Sequence, residues 1–436
     1  MVTTSWAMTV STLQLFATVV LAATLIDELG LSRWQVGVLG ATNTGVGALA
    51  APHLGRLADR LGCRRSMTAL GVTSAAGLIL TAVAFDYWLL VAASAVAGLP
   101  QGASNPVTNM VIAEEVPGEH QGSVTGVKQS GVQFAVFLAG AILPTAAVTI
   151  GWRWALVILG LVTLVGAAAT RARFPPQHAG SPAGSDGVLV AAGRLPGFVI
   201  QVAVYAFLLG LTAGGVTRFY PLYAQEVLGY SEPAAGLAVS VAGLAAIAAR
   251  LAWARAVSLV PLRPALVALA VGSAAAAGLL VASELIAAWI LWPTVILMAF
   301  TVMAWNVVAM LAVIWSVPIR ESGRATGVVL MGFLGGLTVS APLVGYAEDR
   351  FGSYRPMWIT LAALALAGGA TVSRASGGQA KRSRRTLPRL VLGSAWRSSR
   401  LRGAHQAGKR SFVAERRAAR VGGEAGSAGT ATATTR

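Results

Sequence analysis

The sequence predicts an all-α polytopic membrane protein of twelve transmembrane helices in two six-helix, pseudo-symmetric halves. Three observations carry that prediction. Of its 436 residues 56% are hydrophobic and 11% charged, too few polar side chains to cover a soluble domain. Uncharged runs of about 18 residues or more recur along the chain, the length that crosses a hydrocarbon core about 30 Å thick. An internal repeat relates one part of the chain to another: a displacement of 201 residues lays Asn105 on Asn306, Val116-Pro117 on Val317-Pro318, Thr125-Gly126 on Thr326-Gly327, Gly131 on Gly332 and Gly151 on Gly352. Matches at turn and proline positions point to one structural unit used twice.

Apolar runs bounded by charge or by Gly/Pro punctuation place the first six spans at 6–26, 35–55, 67–85, 88–113, 122–148 and 153–170. A polar, Pro/Gly/Ser-rich segment follows, and then spans at 197–222, 233–253, 264–282, 285–314, 322–346 and 356–373. The expected organisation is an N-terminal six-helix bundle over 1–170, a cytoplasmic linker over 171–196, a C-terminal bundle over 197–373 and a basic cytoplasmic tail over 374–436. No basic segment precedes the first apolar run, which reads as a retained span and not as a cleaved signal. The single cysteine, Cys63, excludes an internal disulfide and a cysteine-based metal cluster.

The net charge of +17 belongs mostly to the tail, which holds 15 Lys/Arg against 2 Asp/Glu, while the body holds 18 against 14. With no sustained apolar period the tail cannot bury enough surface to fold alone. It reads as a solvated segment or as an arginine-rich one drawn to anionic headgroups. No aromatic stacking platform accompanies it, so nucleic acid is not an expected partner. In the body, one set of connections collects Arg56, Arg60, Arg64, Arg65, Arg171, Arg173, Arg194, Arg250, Arg255, Arg263, Arg320 and Arg324. The other collects Asp27, Glu28, Asp86, Glu226, Glu232 and Glu284, opposed by Arg33, Arg153, Arg350 and Arg355. The positive-inside rule then predicts a plasma-membrane protein with both termini cytoplasmic.

Between the second and third runs lies a charged turn, Gly55-Arg56-Leu57-Ala58-Asp59-Arg60-Leu61-Gly62-Cys63-Arg64-Arg65. Gly55 permits close helix approach, Asp59 can accept from helix N-termini or from Arg60, and Arg64 and Arg65 hold the turn in the cytoplasm. Such a network either forms a gate that must break for a cavity to open or simply fixes topology. The pattern Gly55-x-x-x-Asp59-Arg60-x-Gly62-x-Arg64-Arg65 resembles the signature loop of the major facilitator superfamily (MFS). That resemblance implies the MFS fold and transport by alternating access. Gly345-x-x-x-Asp349-Arg350-x-Gly352 echoes the turn after the eleventh span, whereas Ala249-Arg250-Leu251-Ala252-Trp253-Ala254-Arg255 lacks the acid. Gly126 to Gln133, Trp305-Asn306 and Gly352-Ser353-Tyr354 resemble the bacterial cyanate-permease-like group. Gly98 stands where many members carry a proton-coupling arginine, and Gly140-Ala141-Ile142-Leu143-Pro144 is a degenerate form of the drug/proton antiporter motif.

A polar group at the bilayer midplane is costly, so each is a candidate for function. Lys128, the only lysine before the tail, shares an arc of ~140° with Thr125, Gln129 and Gln133 on the fifth span. It reads as a countercharge for an anionic substrate, as a cation coupled to proton movement, or as a lysine that snorkels to the cytoplasmic face. Gln101, Asn105, Thr108 and Asn109 share one side of the fourth span. Gln14 on the first, Asn43 on the second, and Trp305 and Asn306 on the tenth add amide and indole groups. These read as substrate donors and acceptors or as interhelical hydrogen bonds. Arg218, near one end of the seventh span, can bind an anion at the outer mouth, pair with Glu226 or snorkel outward. The histidines show no metal-ligand spacing and there is no phosphate-binding Gly-x-x-x-x-Gly-Lys loop, so neither an enzyme nor a cofactor is expected. The expected function is secondary transport of a small polar, anionic organic solute by a monomer in the lipid bilayer, with a proton as possible co-substrate. Drug or metabolite efflux and a non-transporting membrane sensor are the alternatives, and deleting the tail would abolish only the last.

Overall fold

A computed structural model describes residues 2–174, 195–257, 259–317 and 322–373. Residues 118–123, 126, 322 and 323 are described by backbone alone. Most of the expected linker (175–194) and the whole expected tail lie outside the described residues. The helices are α1 (Val2–Val20), α2 (Ala22–Leu29), α3 (Arg33–Ala82), α4 (Tyr87–Glu115), α5 (Gly118–Ile150), α6 (Trp152–Arg173), α7 (Gly197–Glu226), α8 (Glu232–Ala256), α9 (Leu262–Leu285), α10 (Leu291–Phe300), α11 (Trp305–Ile314), α12 (Ser322–Phe351) and α13 (Arg355–Ser373). Among the described residues eight helical segments are long and apolar enough to cross a bilayer, nine if the bent pair α1–α2 is one span. The other three expected spans lie along α3 and α4, whose apolar runs are diluted by glycine, proline and amide side chains.

Local chemistry explains where the elements begin. Ser32 and Gln35 form a reciprocal capping box at the start of α3. Asp86 caps α4 by accepting from Leu89 N at 2.8 Å, and Ser231 caps α8 just ahead of Pro233. Two expected spans are interrupted. The first bends by 60° between α1 and α2, and the tenth breaks between Phe300 and Trp305, where Phe300 O accepts from Trp253 Nε1 at 2.8 Å. Gly151 and Gly352, which the repeat lays on each other, both take positive φ, 85° and 62°.

α3 is a hairpin of two helical limbs that meets at Gly62, where φ 74° and ψ 169° admit no ordinary side chain. Gly47 and Gly77 show the reversal. Gly47 of the first limb packs on Gly98 of α4, and Gly77 of the second limb packs on Ala97. Residues 47 and 77 would lie about 45 Å apart on a straight helix, so only a fold midway, at residue 62, brings both against one site on α4.

The hydrophobic core divides unequally between the two ends of the bundle. At the end that carries Arg33, Glu226 and Asp349, one continuous cluster joins Leu13, Leu39, Leu78, Val136, Phe219, Val239 and Val344, which come from both halves of the chain. At the end that carries Gly62, two separate clusters replace it. One holds Ala7, Cys63, Met67, Val111 and Phe174 from the first half, the other Val199, Leu266, Val308, Val329 and Val372 from the second. Among the described residues, apolar packing therefore joins the two halves at one end and divides between them at the other. Two seams join the halves at the packed end, and both are built on glycine. On one, Gly140 lies against the Gly236 carbonyl, and Gly243 against the backbone of Gln133 and Phe137. On the other, Gly37 lies against Ala341, and Gly345 against the backbone of Arg33 and Trp34. This second seam reaches inward to Thr338, whose hydroxyl donates to Thr44 Oγ1 at 3.3 Å.

Candidate functional site

α4 and α5 run side by side in the first half, and their polar faces meet. Lys128, 1% exposed, donates to Thr108 Oγ1 at 3.0 Å and to Asn109 Oδ1. An ammonium has three N–H groups, and both acceptors that engage it here are neutral. No carboxylate pairs with it among the described residues. Gln129 Nε2 donates to Asn105 Oδ1 at 3.2 Å beside this pair. Lys128 thus does not snorkel to the cytoplasmic face; it stays between the helices, its charge solvated by amide and hydroxyl oxygens.

Gln133, one and a half turns further along α5, is 4% exposed and its Oε1 has no partner among the described residues. Its backbone lies against Gly243 on the α5–α8 seam. Lys128 is therefore about 8 Å from that seam along the helix, on the side where the halves part. Gln101 on α4 also has a buried Oε1 without a partner. In the second half the Asn306 side-chain carbonyl is buried and unpartnered, one residue into α11 after the break. Trp305 is 3% exposed and packs on Phe333 with ring centroids 4.3 Å apart, inside the second-half core. Among the described residues no hydrogen bond joins Trp305 or Asn306 to Lys128.

Gln14 and Asn43 have other company. Asn43 Nδ2 donates to Gln14 Oε1 at 3.0 Å, and Gln14 Nε2 donates to Thr81 Oγ1 at 3.2 Å and reaches Ser94 Oγ at 3.5 Å. This buried network ties α1, both limbs of α3, and α4 together. Tyr205 and Thr212 likewise spend their hydroxyls on the carbonyls of Leu266 and Leu361.

Arg218 is 9% exposed, and no hydrogen bond or ion pair joins it to Glu226 among the described residues. Its Nη1 has no hydrogen-bond partner among the described residues. With Thr18, Val19, Val36, Gly37, Gly40 and Phe219 it lines a cavity of about 10 Å³, room for one water.

A second charged constellation, at the packed end, was only partly legible. Arg33 grips Glu226 with Nε at 3.1 Å and Nη2 at 2.8 Å, the fork geometry that suits a carboxylate. It also reaches Glu348 at 2.6 Å and Asp349 at 3.7 Å. Asp349 accepts from the backbone N–H groups of Arg33 and Trp34 at 3.1 and 2.8 Å, so an anion from α12 sits on the N-terminus of α3, where the helix dipole favours it. Tyr354 donates to Glu226 at 2.7 Å. Burial, and then the neighbouring Glu226, pushes its phenol up, which keeps it a donor. Nearby, Thr24 of α2 donates to Glu232 at 3.0 Å. The clamp joins α2 and α3 to α7, α8 and α12. The clues in the sequence were Arg33, one of the few cations among acids, and the Asp349 motif; its partners lie more than 190 residues away.

A family model described as Major Facilitator Superfamily matches residues 4–338. The chain belongs to the major facilitator superfamily. It is 29% identical over 154 residues to the probable sulfoacetate transporter SauU of Cupriavidus necator, covering 33% of this chain and 34% of that protein. It is 29% identical over 146 residues to the gentisate transporter of Corynebacterium glutamicum, covering 33% of each. Other curated relatives are named for sugars and for multidrug resistance. The chain thus spans about a third of the length of these two relatives. Among solved structures, that of the peptide transporter POT in complex with sulfate superposes with a TM-score of 0.66 at 13% identity, covering 85% of this chain and 93% of that one; this likeness concerns the fold. Membership of a carrier superfamily stands against an enzymatic role and makes the chain a multi-pass membrane protein.

The superfamily's signature loop lies at the parted end. Gly55 faces the Pro106 ring of α4, and Gly62 makes the reversal already described. Arg64 Nε donates to the Arg171 carbonyl at 3.0 Å, a cation at the C-terminal end of α6. Asp59, Arg60 and Arg65 are exposed, and the structure does not pair Asp59 with Arg60. Cys63 instead donates to Glu114 at 3.1 Å.

Proposed function

We propose that this protein is a secondary active transporter that carries a small organic anion across the cytoplasmic membrane by alternating access, with both termini cytoplasmic. The single observation that carries the reading is Lys128, a buried cation in the membrane whose partners Thr108 and Asn109 are neutral. A cation in that setting is costly, and neutral acceptors leave its charge uncompensated and able to attract an anionic ligand. Asn105, Asn109, Gln129 and Gln133 supply orienting hydrogen bonds. Gln101 and Asn306 carry buried side-chain carbonyl oxygens without partners among the described residues, acceptors that this reading assigns to the substrate, with Trp305 beside Asn306. Two relatives named for sulfoacetate and gentisate, both organic acids, support the same substrate class.

In this reading residues 1–170 and 197–373 move as two bodies. The Arg33 clamp closes the outer side, and the loop of Gly55, Asp59, Arg60, Gly62, Arg64 and Arg65 closes the inner side when the parted ends come together. The structure would then correspond to an inward-facing state, with the loop's ion pairs unmade.

The test is uptake of labelled gentisate and sulfoacetate into proteoliposomes, with and without a pH gradient, for wild type, Lys128→Ala and Lys128→Arg. Flux in wild type, kept in part by arginine and lost with alanine, is expected. A pH gradient that accelerates it would make the proton a co-substrate. Unchanged flux in Lys128→Ala would refute the charge pairing. Absence of anion flux, with extrusion of lipophilic dyes, would favour efflux.

A further inference from the structure

Arg218 is a charge in the membrane that this reading does not use. The sequence left it three roles: an anion site at the outer mouth, a partner for Glu226, or an outward snorkel. The structure removes two of them. Glu226 is committed to Arg33 and Tyr354, and the Arg218 side chain is buried with an unpartnered Nη1. It points across from α7 to the first half, under Gly37 and Gly40 of α3 and beside Thr18 and Val19 of α1. A Cβ at Gly40 would fall on the guanidinium itself, so α3 is laid directly over the charge with nothing between.

A buried guanidinium without a counter-ion is strongly unfavourable. A chain keeps such a group when the burial belongs to one state of a cycle. The helix that covers Arg218 is the helix whose first turn the clamp holds: Arg33, Gly37 and Gly40 are successive turns of α3. When the clamp opens and α3 leaves α7 and α12, the Arg218 fork is uncovered at the mouth beyond the glycine seams. A planar fork with five donors matches a carboxylate or sulfonate better than any other side chain.

We propose that Arg218 is a second anion-binding residue, the outer receptor that takes the oxyanion group of the substrate when the packed end opens, ahead of Lys128 further in. The inference rests on the organic-anion reading of Lys128 and adds a distinct site to it. It also assigns Arg218 a part in the cycle: closing α3 over an empty Arg218 is unfavourable, so the unloaded carrier is driven back toward the state in which the fork is open.

The experiment uses the Cys63→Ser chain in proteoliposomes, with gentisate and sulfoacetate as probes. Arg218→Gln and Arg218→Cys are expected to raise KM about tenfold or more, Arg218→Lys to fall between, and the melting temperature to stay level or rise, since the substitution removes an unpaired buried charge. Treatment of Arg218→Cys with 2-aminoethyl methanethiosulfonate, which restores a cation, should recover flux, whereas methyl methanethiosulfonate should not. A wild-type KM in Arg218→Gln would overturn the proposal. So would a lost flux accompanied by a lower melting temperature and no cationic rescue, the mark of a packing role. Loss in Lys128→Ala with none in Arg218→Gln would sink the outer receptor alone. Loss in Arg218→Gln with none in Lys128→Ala would leave Arg218 standing and remove the inner site. Absence of wild-type flux for both anions would remove both.

Discussion

Replacing Arg33 by glutamine should open the packed end. Arg33 faces three carboxylates at once: Glu226 at 2.8 Å, Glu348 at 2.6 Å and Asp349 at 3.7 Å. Its side chain is 30% exposed, while that of Glu348 is 8% exposed. A fully exposed pair contributes about 0–1 kcal/mol, and removing one partner of a buried pair costs about 3–5 kcal/mol. The half-buried clamp falls between, so the substitution should cost the closed arrangement about 2 kcal/mol, mostly from leaving Glu348 and its acidic neighbours uncompensated. At about 1.4 kcal/mol per factor of ten, that moves the closed-to-open equilibrium about 30-fold. Val36, which lines the covered cavity next to Arg218, reports the change. In a Cys63→Ser, Val36→Cys chain, a membrane-impermeant maleimide added at the clamp side should react about 30-fold faster once Arg33 is glutamine. Adding Glu348→Gln should reverse much of the gain, because the orphaned charge is then gone. A rate that changes less than threefold, or a second substitution without effect, would refute the clamp as the element that holds this end shut.

The other expectations are independent of that one. Tyr354→Phe removes a 2.7 Å hydrogen bond to Glu226 and should open the same end by a smaller step, about 1.5 kcal/mol, readable by the same labelling. Gly345→Ala and Gly37→Ala each drive a methyl into the backbone of the facing helix; both should speed Val36→Cys labelling and slow transport, and a variant that labels and transports like wild type would show that the seam yields. Gln14→Leu breaks a buried network of three helices and should lower stability by about 1–3 kcal/mol with KM unchanged; a raised KM at intact stability would instead place Gln14 against the substrate. Lys128→Ala should reduce anion uptake about tenfold or more, whereas Lys128→Met, which fills the same space without charge, should match alanine in transport and wild type in melting temperature.

Most of the framework could be read from the chain because the bilayer enforces it. Apolar runs of spanning length, punctuation by charge and an internal repeat locate the helices to within a few residues, and Gly151 and Gly352, paired by the repeat, both take positive φ. The interruptions were not legible. Nothing local distinguishes Leu21, where α1 bends into α2, or Thr301, where the tenth span breaks, because helix breaks inside an apolar run depend on what neighbouring helices offer the freed carbonyls, here Trp253. Helical spacing put Gln101, Asn105, Thr108 and Asn109 on one side of α4 and Lys128 and Gln129 on one side of α5. It could not show that these faces meet, nor that Asn43 donates to Gln14. Arg218 is the sharpest case. Its sequence neighbours suit a snorkelling residue, and only the approach of Gly40 from another helix shows that α3 lies over its guanidinium.

The glycine seams have a kinetic consequence. Where Gly140 meets Gly236 and Gly345 meets Arg33, backbone lies on backbone, so parting the halves at these points leaves few rotamers to rearrange. The barrier to rocking at these lines should carry little enthalpy from repacking, and its temperature dependence should come mainly from the polar clamp beside them. A carrier built this way can change sides as two stiff bodies over smooth contact lines, its pace set by a few charges and by the core side chains that the two halves share at the packed end.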